Sequence, residues 1–266
     1  MKSYLSYFKL RFITNLQYRT EAIAGICTQI FFGLIFIMVY LAFYESGGDA
    51  PMNWQELVNY LWLQQSFFAL IYPFDRENEL LNMIKNGNLA YELIRPQDFY
   101  FKWYIKMLSK RLVAVILRFI PLIILAISLP YPFHLSTPYS INNFIMFIVA
   151  LTLGFFLVTS SNLLMHILTM FTLDEKGTMT TYNVIAEIFM GGTIPIPFFP
   201  LWLKHIAEFL PFRFIGDFPF RIYSNSIPLQ EGYILIIGSI IWIIITISLG
   251  YLISRVSLRK AVIQGG

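Results

Sequence analysis

Between Arg118 and Asp174 the chain runs for 55 residues without one Asp, Glu, Lys or Arg. A water-facing surface cannot be built from such a stretch, so lipid must be its solvent. A helix that crosses a bilayer needs roughly 20 apolar residues, so this run holds two crossings and a short connection. The rest of the chain agrees. Apolar residues make up 57% of the whole and charged residues 13%, where a soluble domain carries roughly 25% charged residues.

Hydropathy divides the chain into six candidate spans, near residues 22–44, 57–74, 112–129, 143–173, 178–199 and 232–254. The fourth is longer than a bilayer requires, so it is tilted, kinked or projects into water. Lys and Arg in the connections set the orientation. Alternate sides carry fifteen and three of them, leaving out Arg118 inside the third span. The rich side includes the N-terminus, the connection 75–111 and the C-terminal tail, so both termini are expected in the cytoplasm. The net charge of +4 is thereby explained as membrane topology, and no nucleic-acid partner is expected. The apolar run after Lys2, Lys9, Arg11 and Arg19 is too long for a cleavable signal. The lone Cys27 allows no intrachain disulfide.

Two segments do not read as spans. Leu5, Phe8, Phe12 and Leu16 are spaced 3, 4 and 4, with Lys9, Arg11, Asn15 and Arg19 elsewhere on the wheel. This predicts an amphipathic helix over 1–21, lying in the membrane interface with its basic face toward headgroups. Residues 191–231 combine Gly191-Gly192 with Pro195, Pro197, Pro200, Pro211 and Pro219, and apolar pieces lie between the prolines. Such backbone is tolerated at membrane depth only where protein or a cavity covers it. A re-entrant or interfacial helical hairpin at the outer mouth is expected. One membrane domain spans 1–266.

Chemistry is sparse. There is no phosphate-cradling loop, no H-E-x-x-H and no nucleophile elbow. His134, His166 and His205 are scattered. Glu187 is the one carboxylate deep in a span. Burying a charge there costs about 2.5–3.5 kcal/mol, so it either contacts substrate, pairs across a subunit interface, or is a neutral or hydrogen-bonded structural group. Arg118 can snorkel toward the interface. Ser160, Ser161, Asn162 and His166 read as helix-to-helix glue. The connection 75–111 is longer than a turn needs. It opens with dense charge from Asp75 to Glu79 and follows with Leu80, Leu81 and Ile84. A short helix with an apolar patch and a charged rim suits docking on a cytosolic partner.

Several pieces together resemble the permease subunits of ATP-binding-cassette transporters of the type-2 exporter superfamily, closest to small unfused bacterial permeases. These are Tyr4, Phe8, Lys9 and Phe12; Leu16-Gln17-Tyr18-Arg19; and the stretch from Lys85 through Asn86-Gly87-Asn88-Leu89-Ala90-Tyr91 to Arg95-Pro96. Gly191-Gly192-Thr193-Ile194-Pro195, Phe198-Phe199-Pro200, Leu210-Pro211-Phe212 and Phe218-Pro219 complete the pattern.

The resemblance implies an all-α membrane protein of six transmembrane helices, with an N-terminal interface helix and a re-entrant outer hairpin before the last span, in the bacterial cytoplasmic membrane. It implies a coupling helix within 78–95, carried by Glu79, Leu80, Leu81, Ile84 and Arg95. It implies two permeases, identical or of different types, with two cytosolic ATPase subunits that hold ATP and Mg; this chain itself is expected to hold no cofactor or metal and to catalyse nothing. Glu187, Gly191 and Gly192 are expected on the substrate path or subunit interface, and an aromatic-rich path suits amphipathic or lipid-like cargo in contact with membrane lipid. The competing readings are an ion-coupled secondary transporter, which predicts more embedded charges than Glu187 and Arg118, and a non-transporting membrane scaffold.

Overall fold

The computed structural model describes residues 2–17, 19–48, 50–86, 88–89, 92, 94, 96–172 and 174–264, with side chains as far as Arg259. Over these residues it is helical, with no strand. Four helices are long and apolar enough to cross a membrane. They are α2 (Arg19–Glu45, 27 residues), α6 (Phe99–Ser128, 30), α7 (Ile141–Thr172, 32) and α11 (Leu229–Gln264, 36). At 1.5 Å per residue the shortest is about 40 Å long, more than the roughly 30 Å hydrocarbon layer. α7 is the inner mast. Its most apolar window is 61% buried, against 17–28% in the other three, and α11 packs along its length.

The second and fifth candidate spans lie in shorter helices. α3 (Trp54–Ser66) and α4 (Phe68–Ile71) are separated by a break at Phe67, whose ring packs on Phe119 and Phe147. Ten consecutive residues of α3, Leu57 to Ser66, are buried, so protein surrounds the helix on every side. That is why it carries Asn59, Gln64, Gln65 and Ser66 without exposing them to lipid. The connection after α6 folds over its first turns. Trp54 Nε1 donates to the Pro132 carbonyl at 3.0 Å, Trp62 Nε1 to Phe133 at 2.7 Å, and Asn59 Nδ2 to Ser136 Oγ at 2.7 Å. α8 (Glu175–Phe189) is capped by Asp174, which accepts from Gly177 N at 2.9 Å.

α1 (Lys2–Asn15) lies along the start of α6, where the Asp98 N–H donates to the Tyr4 hydroxyl at 2.9 Å. The predicted stripe is split. Phe8 stacks on Phe12 and both are half-buried, Leu5 is exposed with Leu10 and Ile13, and Leu16 lies past the helix end. A helix wedged against protein on one side and open on another offers apolar residues to both. The far part of α11 also meets the start of α6, through Tyr251 against Tyr100. The two ends of the described chain therefore share one end of the bundle.

α6 begins thirteen residues before its predicted span. Phe99, Tyr100, Trp103, Tyr104 and Met107 are buried on that extension, so an aromatic stretch that reads as a connection is the base of the helix.

Beyond α8 the chain turns at Gly191-Gly192 and returns through short pieces. Phe198 packs on Tyr40 and Phe43 of α2. Next come α9 (Leu201–Phe209) and a 3-10 turn, Pro211–Phe214, where Phe212 meets Tyr182 in the middle of α8. The carbonyls of Phe214 and Ile215 rest directly on α7 at Gly154, where a Cβ would sit 2.9 Å from both oxygens. α10 (Asp217–Tyr223) then runs back up between α3 and α7, almost wholly buried. α9 keeps Leu201, Trp202, Ile206 and Phe209 exposed.

Candidate functional site: a charged clamp behind a short helix

The densest polar construction lies at the end of the bundle that carries α1. There residues 72–77 leave α4 and enter α5 (Asn78–Lys85). This segment has no helical ladder of its own, so its backbone groups need outside partners. α6 and α7 supply them. Arg111 Nη1 donates to the carbonyls of Leu70 (3.2 Å) and Tyr72 (2.7 Å), and its Nε lies 3.5 Å from Asp75 Oδ2. Lys110 Nζ donates to Asp75 Oδ1 at 2.6 Å. Asn162 Nδ2 donates to the Pro73 carbonyl, and the Glu77 N–H donates to His166 Nε2 at 3.0 Å. His166 Nδ1 faces the Asn162 carbonyl at 2.8 Å. That geometry puts the imidazole proton on Nδ1 and leaves Nε2 to accept. One turn earlier on α6, Lys106 reaches both Glu77 (2.8 Å) and Glu79, with its ammonium over the Trp103 ring. Arg76 pairs with Glu175, which ties the segment to the start of α8 as well.

The charges are mutually set. Burial opposes ionisation of Asp75, but Arg111 and Lys110 hold its carboxyl below the ordinary range. Burial opposes Glu79 in the same way, and Lys106, with Arg11 at 3.8 Å, holds it low. Both therefore stand ionised at neutral pH. Single buried pairs add little net stability, but removing one partner strands the other.

α5 is seated by its apolar side. Leu80 is 0% exposed and Leu81 3%, with Ile84 half-buried against the same core. The expectation that this apolar patch faces a partner needs correcting: Leu80 and Leu81 fix the helix to its own subunit. The outward face is polar and consists of Asn78, Glu79, Asn82 and Lys85. An eight-residue helix cannot bury the same residues twice, and the core takes them. Arg95, the fifth predicted coupling residue, lies outside the described residues.

The other predicted residues gather at the Gly-Gly turn. Gly191 has φ +76°, a conformation in which an L side chain is strained. A Cβ there would also overlap the Tyr60 hydroxyl. Tyr60 donates to the Gly191 carbonyl at 3.0 Å, and Gln64 Nε2 donates to that of Gly192. Both donors belong to α3, so the buried polar residues of that helix hold the turn. Beneath the turn, buried Asp217 meets Arg221 at 3.3 Å. Glu187, one turn before, is half-buried. It accepts from Thr193 Oγ1 at 3.4 Å. Within its own chain the hydrogen-bond partner of Glu187 among the described residues is the neutral hydroxyl of Thr193.

Sequence reading did not find the clamp. Lys102, Lys106 and Lys110 carry the positive bias of the connection, and their spacing of four also makes a stripe on one helix face. That stripe, opposite the acids between 75 and 79, was the available signal. Nothing in the sequence pairs Arg111 with the carbonyls of Leu70 and Tyr72.

A helical bundle with four spanning-length helices is the architecture of a multi-pass membrane protein. The particular family follows from comparison. The model of the ABC-2 family transporter proteins matches residues 21–265, nearly the whole chain, and the chain belongs to that family. No curated protein and no solved structure matches it.

Proposed function

We propose that this permease is one of two membrane subunits of an ATP-driven exporter, and that α5 is the helix on which a cytosolic ATPase docks. The observation that carries this reading is the pairing of an outward polar face on α5 with buried bonds from the segment behind it to α6 and α7. A load applied to α5 would reach two long spans without crossing a flexible joint. Motion of that kind shifts packed elements between two arrangements.

The charge bias supports a cytoplasmic placement of the clamped end, with both termini there. Six crossings result if α3–α4 and α8 traverse the membrane with the long four. Their shortness is no obstacle where protein covers their ends. Residues 191–231 then form a re-entrant hairpin on the outer side, its tip at Phe214. The path for an amphipathic or lipid-like substrate would run between this chain and a second permease, identical or different, near α8 and the Gly191 turn. ATP and Mg would be held by the ATPase.

The test is co-purification with a cytosolic ATPase and assay of its hydrolysis. Asn82→Arg with Lys85→Glu on the outward face should break the association and lower stimulated hydrolysis about tenfold, the effect of losing roughly 1.4 kcal/mol of binding. The thermal stability of the permease should not change. Transport by the chain alone, driven by an ion gradient without nucleotide, would overturn the reading.

A further inference from the structure

A groove of 660 Å³ opens at the clamped end, walled by the α1–α2 elbow, α4 and α6. Its floor is apolar, with Phe68, Ala69, Val113, Ala114 and Leu117, while its rim is charged. Most of those charges are satisfied. Lys106 pairs with Glu77 and Glu79, Lys110 and Arg111 share Asp75, and Arg76 pairs with Glu175. Two groups are not. Arg118 lies against Gly25 and donates only to the Glu21 backbone carbonyl at 3.3 Å, leaving its Nε buried without an acceptor. The Glu21 carboxylate, on the first turn of α2 beside it, is exposed and makes no ion pair among the described residues. A guanidinium and a carboxylate that feel each other's charge but make no ion pair thus share one rim above an apolar floor.

We propose that this groove binds the headgroup of a phospholipid from the adjoining leaflet, with the phosphate on Arg118 and a primary ammonium on Glu21. The ligand class is an aminophospholipid. Guanidinium matches phosphate oxygens in a two-pronged, charge-assisted contact. An –NH3+ donates three hydrogen bonds to carboxylates and carbonyls, which a quaternary ammonium cannot do. Thr14 and Asn15 at the elbow add neutral polar atoms to the rim. The floor takes the first carbons of the acyl chains, which a free phosphate lacks. The inference rests on the membrane placement proposed above, but needs neither nucleotide nor ATPase, so the two can fail separately.

The probe is native mass spectrometry of the full-length protein, in detergent, titrated with equimolar phosphatidylethanolamine, phosphatidylcholine and phosphatidylglycerol. Phosphatidylethanolamine adducts should exceed phosphatidylcholine adducts about fivefold, the equivalent of one modest hydrogen-bonded charge contact. Glu21→Gln should erase that preference. Arg118→Gln should reduce all adducts, and Arg118→Lys should recover part of them. Glu21 is exposed, so its variant decides the matter even if Arg118→Gln does not fold. Equal retention of the three lipids by the unaltered protein, or an undiminished preference in Glu21→Gln, overturns the proposal. So does displacement of the lipid by excess inorganic phosphate, which would mark a plain phosphate site.

Discussion

Two non-helical segments of this protein are held inside the bundle, and they are held by opposite means. Residues 72–77 are gripped by charged and long side chains reaching from α6 and α7: Arg111, Lys110, Asn162 and His166. The Gly191-Gly192 turn is held by two neutral donors, Tyr60 and Gln64, and by the absence of a side chain. Both solve one problem, since irregular backbone away from water must find partners in protein. The difference is in what each can tolerate. A grip made of several side-chain bonds and ion pairs can pass a load on to α6 and α7. A turn that fits only because glycine has no Cβ must stay put. The first suits an element that transmits load to the spans, and the second a fixed closure.

The comparison can be broken most forcefully at Arg111. Arg111→Met leaves the carbonyls of Leu70 and Tyr72 without their buried donor and removes the guanidinium charge beside Asp75. It should destabilise the protein by about 3–5 kcal/mol, read as a drop in melting temperature in detergent. A loss under about 1 kcal/mol would mean that the segment does not depend on this grip. At the other region, Gly191→Ala should cost about 1–3 kcal/mol for forcing a residue into left-handed backbone against Tyr60. Tyr60→Phe removes the overlapping hydroxyl, so the double variant should lose less than the sum of the two singles. Additive losses would show that the Gly191 turn is strained by backbone alone.

Acid sharpens the contrast, because the grip on residues 72–77 includes ion pairs to Asp75, whereas the bonds from Tyr60 and Gln64 that hold the turn are neutral. Asp75 and Glu79 have folded pKa values below their unfolded ones. Their contribution is complete above the unfolded value, about 4 for a carboxylate, and is lost as pH falls through the depressed folded value. Melting temperature should therefore drop more steeply below about pH 4 in the unaltered protein than in Asp75→Asn. Parallel curves would remove the ionic account of the clamp. The smallest effect belongs to the outward face of α5, where Asn82→Arg should change stability by no more than about 0.5 kcal/mol.

The long helices were legible because lipid imposes a simple rule on them, twenty apolar residues per crossing, and α2, α7 and α11 obey it. The N-terminal segment was legible as a helix, but its predicted apolar stripe did not coincide with the face it presents to α6. α3 was harder to place, since a helix enclosed by protein needs no lipid-facing stripe, and Asn59, Gln64 and Gln65 look like poor membrane residues until the elements around them are known. The direction of Leu80 and Leu81 was not legible at all. An amphipathic helix declares that its apolar face is covered, and says nothing of whether its own core or a partner covers it. Gly191-Gly192 announced a break in the helix, but the donors that hold that break lie some 130 residues earlier, at Tyr60 and Gln64.

The central claim is that the clamp carries motion from α5 to the spans. The direct measurement is hydrolysis by the partner ATPase, compared between the unaltered permease and Asn162→Leu with His166→Leu. Those substitutions sever the α7 bonds to Pro73 and Glu77 while leaving the outward face of α5 intact. The account predicts that the ATPase still copurifies with the variant, but that stimulated hydrolysis and transport are both lost. A folded variant that binds the ATPase and stimulates it as well as the unaltered chain does would contradict it.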